Sequence, residues 1–223
     1  MVKLEYIYNS GFSLEIGDHF LVIDYYKGEL RIPEGKRLSF LVTHGHEDHY
    51  NPDIFQYEDA HYIISDDVEG LEAGDRLALV HPGDELDFND IRVKVLSSTD
   101  QGSSFYLEVE GVKIFHGGDL NWWAWEDQGP QRELEREQEY TSEINKLDGL
   151  DIDLAFIAVD PRLRHNYYLA GDYFIRRHRP RYFFPMHFGD NYSYNEKFIH
   201  KMQGTSTHIF NIQARNQKFQ LEL

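Results

Sequence analysis

Four side chains of types that commonly bind metals lie within six consecutive positions of the chain. They are His44, His46, Asp48 and His49. Divalent transition metals favour imidazole and carboxylate ligands that are brought together with few degrees of freedom. We expect His44 and His46 to point the same way from extended chain, and Asp48 and His49 to lie on the first turn of a following helix. The cluster predicts a metal site, and the alternative is an exposed polar turn.

Apolar strands are expected to hold these groups in place. An apolar run over residues 39–43 ends directly at His44, and Asp119 follows another strand and a pair of glycines. His187 ends a third apolar run, over residues 181–186. A lone histidine after a strand is more often a hydrogen-bonded core residue than a ligand. Three strands that all end in ligand-type residues nevertheless favour one shared site over three coincidences.

The remaining pattern has two sets of strands, each followed by helices, with no repeat and no linker. Period-two alternation or short apolar runs bounded by turns predict the strands, and helical spacing predicts the helices. The expected strands cover residues 4–8, 12–16, 20–24, 39–43, 61–65, 91–96, 105–109, 112–115, 154–159 and 181–187, with one or two more over 208–223. The expected helices cover residues 52–57, 131–146 and 170–177. We expect a single domain over residues 1–223.

The ordered motifs resemble those of the metallo-β-lactamase superfamily. That family carries His-x-His-x-Asp-His, a later Gly-Asp at a strand end and a final His, and the resemblance runs from about residue 4 to 187. The matching residues, in order, are His44, His46, Asp48, His49, Gly118, Asp119 and His187. The sequence Pro185-Met186-His187 is similar to the corresponding segment in the lactonase-like and phosphodiesterase-like branches of the family. The resemblance implies an α+β fold, a four-layer αββα sandwich, with one or two divalent metal ions at the sheet edges.

One departure from the family pattern concerns the metal. Members with two metals usually carry another histidine in the loop before the second hairpin, but residues 97–104 contain no histidine and do contain Asp100. Asp100 either replaces the imidazole as an oxygen ligand or assists the site less directly, or the metal keeps an extra water. An ordinary turn role is the remaining alternative. Zinc is the expected metal, and an oxygen-rich site shifts the preference towards manganese or iron.

Several neighbouring residues are candidates for supporting roles. Asp24 resembles the carboxylate that orients a ligand histidine in this superfamily, although a plain strand-end residue is the alternative. His116 is a candidate to support the site, and a buried structural histidine is the favoured alternative. His81 lies in a surface turn and is rejected as a ligand.

The substrate pocket has candidates of its own. All the tryptophans of the chain, Trp122, Trp123 and Trp125, follow Asp119 closely. We interpret them as a pocket wall, with core packing as the alternative. Arg162 or Arg164 is a candidate to hold an anionic substrate group, and structural ion pairs are the alternative.

Composition limits the possible partners. The formal net charge of −17 disfavours broad contact with nucleic acid or anionic membranes. The absence of cysteine excludes disulfides and thiolate ligands. We expect no signal peptide, because residues 1–5 lack its apolar core, and no membrane-spanning segment, because no apolar stretch is long enough. We expect a cytoplasmic protein with a small-molecule substrate; the sequence gives no oligomeric state.

The resemblance implies a metal-dependent hydrolase that uses a metal-bound hydroxide on a small ester, lactone, amide or phosphodiester. By the same resemblance, Asp119 would bridge the metals. Asp48 would either orient the nucleophile or bind the second metal. A phosphodiesterase or nuclease is the alternative enzyme, and the acidity of the chain disfavours a nuclease. A metal-binding protein of the same fold without catalysis is the alternative outside enzymes. Oxygen or nitric oxide reduction is disfavoured, because no flavin-binding domain is present.

Overall fold

Two seven-stranded sheets form the core of the computed structural model, which describes residues 1–223. The first sheet has the order β14-β1-β2-β3-β4-β5-β6 and the second β13-β12-β11-β10-β9-β8-β7. The strands are β1 (Val2–Tyr8), β2 (Gly11–Ile16), β3 (His19–Ile23), β4 (Arg37–Val42), β5 (His61–Ser65), β6 (Leu77–Val80), β7 (Glu85–Phe88), β8 (Ile91–Ser97), β9 (Ser103–Val109), β10 (Val112–His116), β11 (Leu154–Ala158), β12 (Tyr182–Met186), β13 (His208–Ile209) and β14 (Gln217–Leu221).

Both sheets change from antiparallel to parallel pairing along their width. In the first sheet β1, β2 and β3 pair antiparallel, whereas β3, β4, β5 and β6 pair parallel. In the second sheet β7 to β10 pair antiparallel, whereas β10, β11, β12 and β13 pair parallel. The carboxyl ends of β10, β11 and β12 therefore meet at one edge, which is where Asp119 and His187 were expected.

The central core lies between the two sheets and explains the alternating sequence pattern. Val2, Leu4 and Tyr6 of β1 are buried while Lys3 between them is exposed. Aromatic side chains join the sheets, and the rings of Phe12 and Phe156 lie 4.6 Å apart between centroids. Burying such a side chain contributes about 1.5–3 kcal/mol relative to leaving it exposed.

The outer faces of the two sheets are covered differently. The helices α1 (Gly129–Asn145), α2 (Leu169–His178) and α3 (Ser193–Lys201) pack on the second sheet, through buried residues such as Tyr140, Phe174 and Phe198. The first sheet is covered by loops and a 3-10 helix at Pro52–Gln56. The sandwich fold expected from the sequence is confirmed, with its α-helices on one side. No helix combines the length and apolar character needed to cross a bilayer.

Candidate metal centre

The first motif follows β4 and forms a turn rather than the start of a helix. The His49 N–H donates to the His46 carbonyl (3.0 Å), and the 3-10 helix begins only at Pro52. A residue that precedes proline is disfavoured in helical conformation, and Asn51 is extended, with φ −128° and ψ 117°. The expectation that Asp48 and His49 lie on the following helix is therefore wrong.

Two glycines let loops of the second sheet approach this turn closely. A Cβ atom on Gly118 would lie 2.7 Å from the Thr43 Oγ1, and one on Gly102 would lie 2.3 Å from the Thr43 carbonyl oxygen. Both glycines also have positive φ, +52° and +67° respectively, which side chains rarely adopt. Glycine at position 118 therefore brings Asp119 against the histidines of the first motif.

Asp119 lies at the centre of the cluster and is almost fully buried. Its Oδ1 lies 3.0 Å from the His49 Nε2 and 3.2 Å from the His187 Nε2. Its Oδ2 lies 3.6 Å from the His44 Nε2. The two carboxylate oxygens thus face two different groups of side chains.

The group on the Oδ1 side is called the inner ligand set and contains Asp48, His49 and His187. The ligand atoms of these three residues all lie within 4.8 Å of one another. Asp48 Oδ2 lies 3.4 Å from the His187 Nε2 and 3.7 Å from the His49 Nε2.

The group on the Oδ2 side is called the outer ligand set and contains His44, His46 and Asp100. Ligand atoms of His46, Asp100 and Asp119 lie within 4.8 Å of one another, and the His44 Nε2 lies 3.0 Å from the His46 Nδ1. The structure therefore brings Asp100, from the loop without the expected histidine, beside the first motif.

Three potential metal-binding atoms of the cluster lack hydrogen-bond partners within the protein. His49 Nε2, His187 Nε2 and Asp119 Oδ1 are all buried and none has a hydrogen-bond partner. Buried polar atoms in folded proteins almost always have a partner. A divalent cation bound among imidazole and carboxylate groups would satisfy all three atoms at once.

Asp24 holds the first motif in place through hydrogen bonds to Thr43 and His49. It is fully buried, and it accepts hydrogen bonds from the Thr43 N–H, the Thr43 Oγ1 and the His49 Nδ1, each 2.8 Å long. Because His49 donates from Nδ1, its Nε2 is free to face Asp119. Asp24 thus has the geometry expected of a carboxylate that orients a ligand histidine.

His187 is held in place by a hydrogen bond to Asp160, to which the sequence analysis assigned no role. Asp160 accepts from the His187 Nδ1 (3.1 Å) and from the Arg162 Nε (2.9 Å). A sequence signal was present, because Asp160 follows the apolar strand β11, whose neighbour β12 leads to His187.

Asn9 is a second residue that the sequence analysis missed. Its Nδ2 donates to the Asp48 Oδ2 (3.0 Å), and its Oδ1 accepts from the Gly189 N–H (3.2 Å). Asn9 lies in the turn between β1 and β2 with φ +55°, a conformation that asparagine tolerates better than most residues. No chemical pattern in the sequence pointed to this position.

Electrostatics in the cluster favour protons on two imidazoles in the absence of a cation. Burial lowers the pKa of His49, but the Asp24 and Asp119 carboxylates outweigh it and raise that pKa to about 10. Burial likewise lowers the pKa of His187, and Asp119, Asp160 and Asp48 raise it to about 9. Metal binding must displace such protons, since a ligand imidazole is neutral.

Burial and neighbouring charges also shift the pKa values of His44 and Asp119. Burial and the neighbouring His49 charge lower the pKa of His44 to about 4, so this imidazole is neutral at pH 7. Burial raises the pKa of Asp119, but the His187 and His49 charges lower it far below its usual range. Asp119 is therefore ionised and available to a cation.

His116 and His81 lie outside the two ligand sets. His116 is buried, donates from Nε2 to the Ser10 carbonyl (3.0 Å) and accepts at Nδ1 from the Gly118 N–H (3.2 Å). Both ring nitrogens thus hold the backbone that positions Asp119. His81 is exposed and pairs with Asp66.

A cavity of about 220 Å³ opens above the two ligand sets. It is lined by His46, Asp48, Thr99, Asp100, Asp119, Trp123, Trp125, Arg136, Arg162 and His187. Arg162 lines the cavity as expected, whereas Arg164 pairs with Glu126 elsewhere. The Arg136 side chain comes from α1 and had no signal in the sequence beyond a charged helix face.

The expectation that Trp122 lines the pocket is wrong. Its ring packs against Tyr140 of α1 and Tyr173 of α2, with centroid distances of 6.1 and 6.3 Å. The chain turns irregularly here, with a hydrogen bond from the Ala124 N–H to the Trp122 carbonyl (2.7 Å). This turn directs Trp122 into the core and Trp123 and Trp125 towards the cavity.

Comparison with known proteins identifies the fold family. Residues 3–129, more than half of the chain, match the family model described as a β-lactamase superfamily domain. No curated protein matches the sequence.

Solved structures with low sequence identity share the fold. A metallo hydrolase from the archaeon Ignicoccus hospitalis is 14% identical with a TM-score of 0.68, and 99% of each chain is covered. An isothiocyanate hydrolase from Delia radicum gut bacteria is 14% identical with a TM-score of 0.66, covering 98% of this chain and 99% of that one. CmlA, a diiron β-hydroxylase from Streptomyces venezuelae, is 11% identical with a TM-score of 0.67, covering 99% of this chain but 54% of CmlA. The chain belongs to the metallo-β-lactamase superfamily.

Proposed function

We propose that this protein is a metal-dependent hydrolase that acts on a small ester, lactone, amide or phosphodiester. The observation that carries the proposal is the convergence of unpartnered buried polar atoms, His49 Nε2, His187 Nε2 and Asp119 Oδ1, beneath an open cavity. Buried unpaired polar atoms destabilise a fold unless a ligand satisfies them, so their presence favours a functional centre. The hydrolase structures that share the fold support the same reading.

The two ligand sets and the shared Asp119 would hold one or two divalent cations. Zinc is the first candidate, and the carboxylates Asp48, Asp100 and Asp119 keep manganese and iron as alternatives. When bound, such a cation lowers the pKa of a coordinated water from ~15.7 towards ~7 and polarises a substrate carbonyl or phosphoryl oxygen.

Asp48 is the side chain best placed to orient an attacking water. Its carboxylate is 41% exposed and lines the cavity, while Asn9 holds Oδ2 from the protein side. Burial raises the pKa of Asp48, but the nearby His187 and His49 lower it to about 2. Asp48 is therefore a carboxylate at neutral pH and can accept a hydrogen bond from the nucleophile.

The test combines metal analysis with a substrate panel. Elemental analysis of protein purified without added metal is followed by assays with a 4-nitrophenyl ester, a lactone and bis(4-nitrophenyl) phosphate. We expect bound divalent metal and turnover of at least one probe. Asp119→Ala should lower that turnover by about a thousandfold or more, because both ligand sets lose their shared carboxylate.

The matched control is Asp87→Ala, since Asp87 is exposed on β7 and pairs only with Arg92. Retained turnover in Asp119→Ala would contradict the hydrolase mechanism. Bound metal with no turnover on any probe would favour the non-catalytic metal-binding alternative, and turnover of the phosphodiester alone would favour the phosphodiesterase or nuclease alternative.

A further inference from the structure

The cavity has a cationic and aromatic wall beside the ligand sets, formed by Trp123, Trp125, Arg136 and Arg162. We propose that this wall binds an oxyanion group of the substrate, a carboxylate, phosphate or sulfonate, through Arg136 and Arg162. The proposal names a substrate class for the site and rests on the proposed function only in calling that ligand a substrate.

Arg162 is rigidly held and keeps one donor free. Its Nε and Nη2 donate to the Asp160 carboxylate (2.9 and 2.6 Å), which leaves Nη1 without a hydrogen-bond partner. The guanidinium carbon lies 5.5 Å from the Trp123 ring centroid and 6.0 Å from that of Trp125. The side chain is 58% exposed, so a ligand can reach Nη1 without displacing Asp160.

Arg136 reaches the same cavity from α1 and is less well satisfied. Its Nη1 donates to Glu139 (2.8 Å) and to the Thr99 carbonyl (3.4 Å), while its buried Nε has no partner. Only 21% of the side chain is exposed, so water compensates this guanidinium poorly. An oxyanion in the cavity would form charge-assisted hydrogen bonds with the Arg136 Nη2, which has no hydrogen-bond partner, rather than with the buried Nε.

Two other arginines nearby, Arg132 and Arg164, do not line the cavity, and this contrast favours Arg136 and Arg162 as the residues that bind the oxyanion. Arg132, one turn earlier on α1, forms ion pairs with Glu135 and Glu139 and does not line the cavity. Arg164 pairs with Glu126 at the surface. Arg136 and Arg162 are thus the arginines that line the cavity holding the ligand sets, and they offer an anion cationic donors beside the carboxylates Asp48, Asp100 and Asp119.

The aromatic part of the wall restricts the shape of the ligand. The rings of Trp123 and Trp125 are stacked at 5.8 Å with an interplanar angle of 5°. Both rings line the cavity and lie beside the Arg162 guanidinium. The cavity volume of about 220 Å³ limits the bound part of the ligand to a small group.

Tryptophan fluorescence provides a binding assay that needs no turnover, because every tryptophan of the chain lies within residues 122–125. The purified protein is titrated with benzenesulfonate and with methyl phenyl sulfone, which has the same ring and no charge. Sulfonate is a weak metal ligand, so the arginines rather than a metal should dominate its binding. We expect benzenesulfonate to bind at least about tenfold more tightly than the sulfone.

The arginine variants locate the site. Arg136→Gln should weaken benzenesulfonate binding about tenfold and leave sulfone binding unchanged, whereas the matched control Arg132→Gln should change neither. Arg162→Gln and its control Arg164→Gln form a second pair. Equal affinity for the two probes, or equal behaviour of Arg136→Gln and Arg132→Gln, would overturn the proposal. Preferential sulfonate binding with no hydrolysis of any substrate would leave the oxyanion site standing and refute the proposed function alone.

Discussion

The inner ligand set and the outer ligand set share Asp119 but are supported very differently. In the inner set, His49 is held by Asp24, His187 by Asp160 and Asp48 by Asn9. In the outer set, His44 is buried and held by Thr43 (Nδ1 to Oγ1, 3.1 Å), whereas Asp100 is exposed, and its one hydrogen bond runs from its backbone N–H to the Ser98 Oγ (3.2 Å).

This difference in support should change the conformational entropy that the ligand side chains lose when a metal binds. A ligand that is already fixed in a binding geometry loses little conformational freedom when the metal arrives. The inner set should therefore bind its cation more tightly than the outer set. A metal in the outer set should exchange more readily, since His46 is exposed and Asp100 has no side-chain partner in the protein.

Among the residues that support the ligand sets, the largest expected effect on metal affinity comes from replacing Asp160, which holds His187 in the inner set. Asp160→Asn removes the carboxylate charge that holds His187 through Nδ1, and loss of such a partner typically lowers metal affinity 10- to 100-fold. Competition with a chromogenic chelator measures the affinity. The control is Asp172→Asn, since Asp172 also pairs with an arginine, Arg176, but on α2 away from the site. Equal affinities in the two variants would remove the distinction between braced and unbraced ligands.

An intermediate effect is expected at the outer set. Asp100→Ala should weaken the second metal about tenfold and leave the inner metal in place, because one oxygen ligand is lost while Asp119 remains. Asp100→His should instead favour zinc over manganese at the same position. Metal titration followed by elemental analysis measures both changes. An unchanged second metal in Asp100→Ala would show that Asp100 is a turn residue rather than a ligand.

The smallest effect on metal binding is expected at Asn9, which contacts Asp48 without belonging to either set. Asn9→Gly removes the side-chain donor while tolerating the positive φ, so the backbone turn is retained. A lost hydrogen bond to a charged group should lower kcat/KM about tenfold while metal content stays the same. Steady-state kinetics and metal analysis together provide the measurement. Loss of the inner metal in this variant would mean that Asn9 shapes the ligand geometry itself.

Most regular elements and the ligand-type residues were predictable because each has a local signature, whereas the sequence analysis missed β6, β7 and α3. Period-two alternation marked β1 and β8, and helical spacing predicted residues 131–146 where α1 covers Gly129–Asn145. The histidines of the first motif were identifiable from their spacing. The ligand roles of these residues stay predictions, and the proposed metal analyses test them.

Residues in irregular segments were not predictable in the same way. Trp122 and Trp123 are adjacent, yet one packs in the helical layer and the other lines the cavity. A turn has no period from which the direction of a side chain can be inferred. Arg136 looks like any other residue of a charged helix until the helix is placed beside the cavity.

Residue type and spacing predicted which ligand-type groups follow the strands: a run of histidines and an aspartate after one strand, and Asp119 and His187 after two others. Spacing and residue type are local properties, and they were enough to indicate a metal centre. The tertiary structure alone decided which groups support that chemistry. Asn9, Asp160 and Arg136 are distant from the first motif in sequence and come together only when the sheets pack. Their hydrogen bonds depend on positions in space that no local pattern encodes.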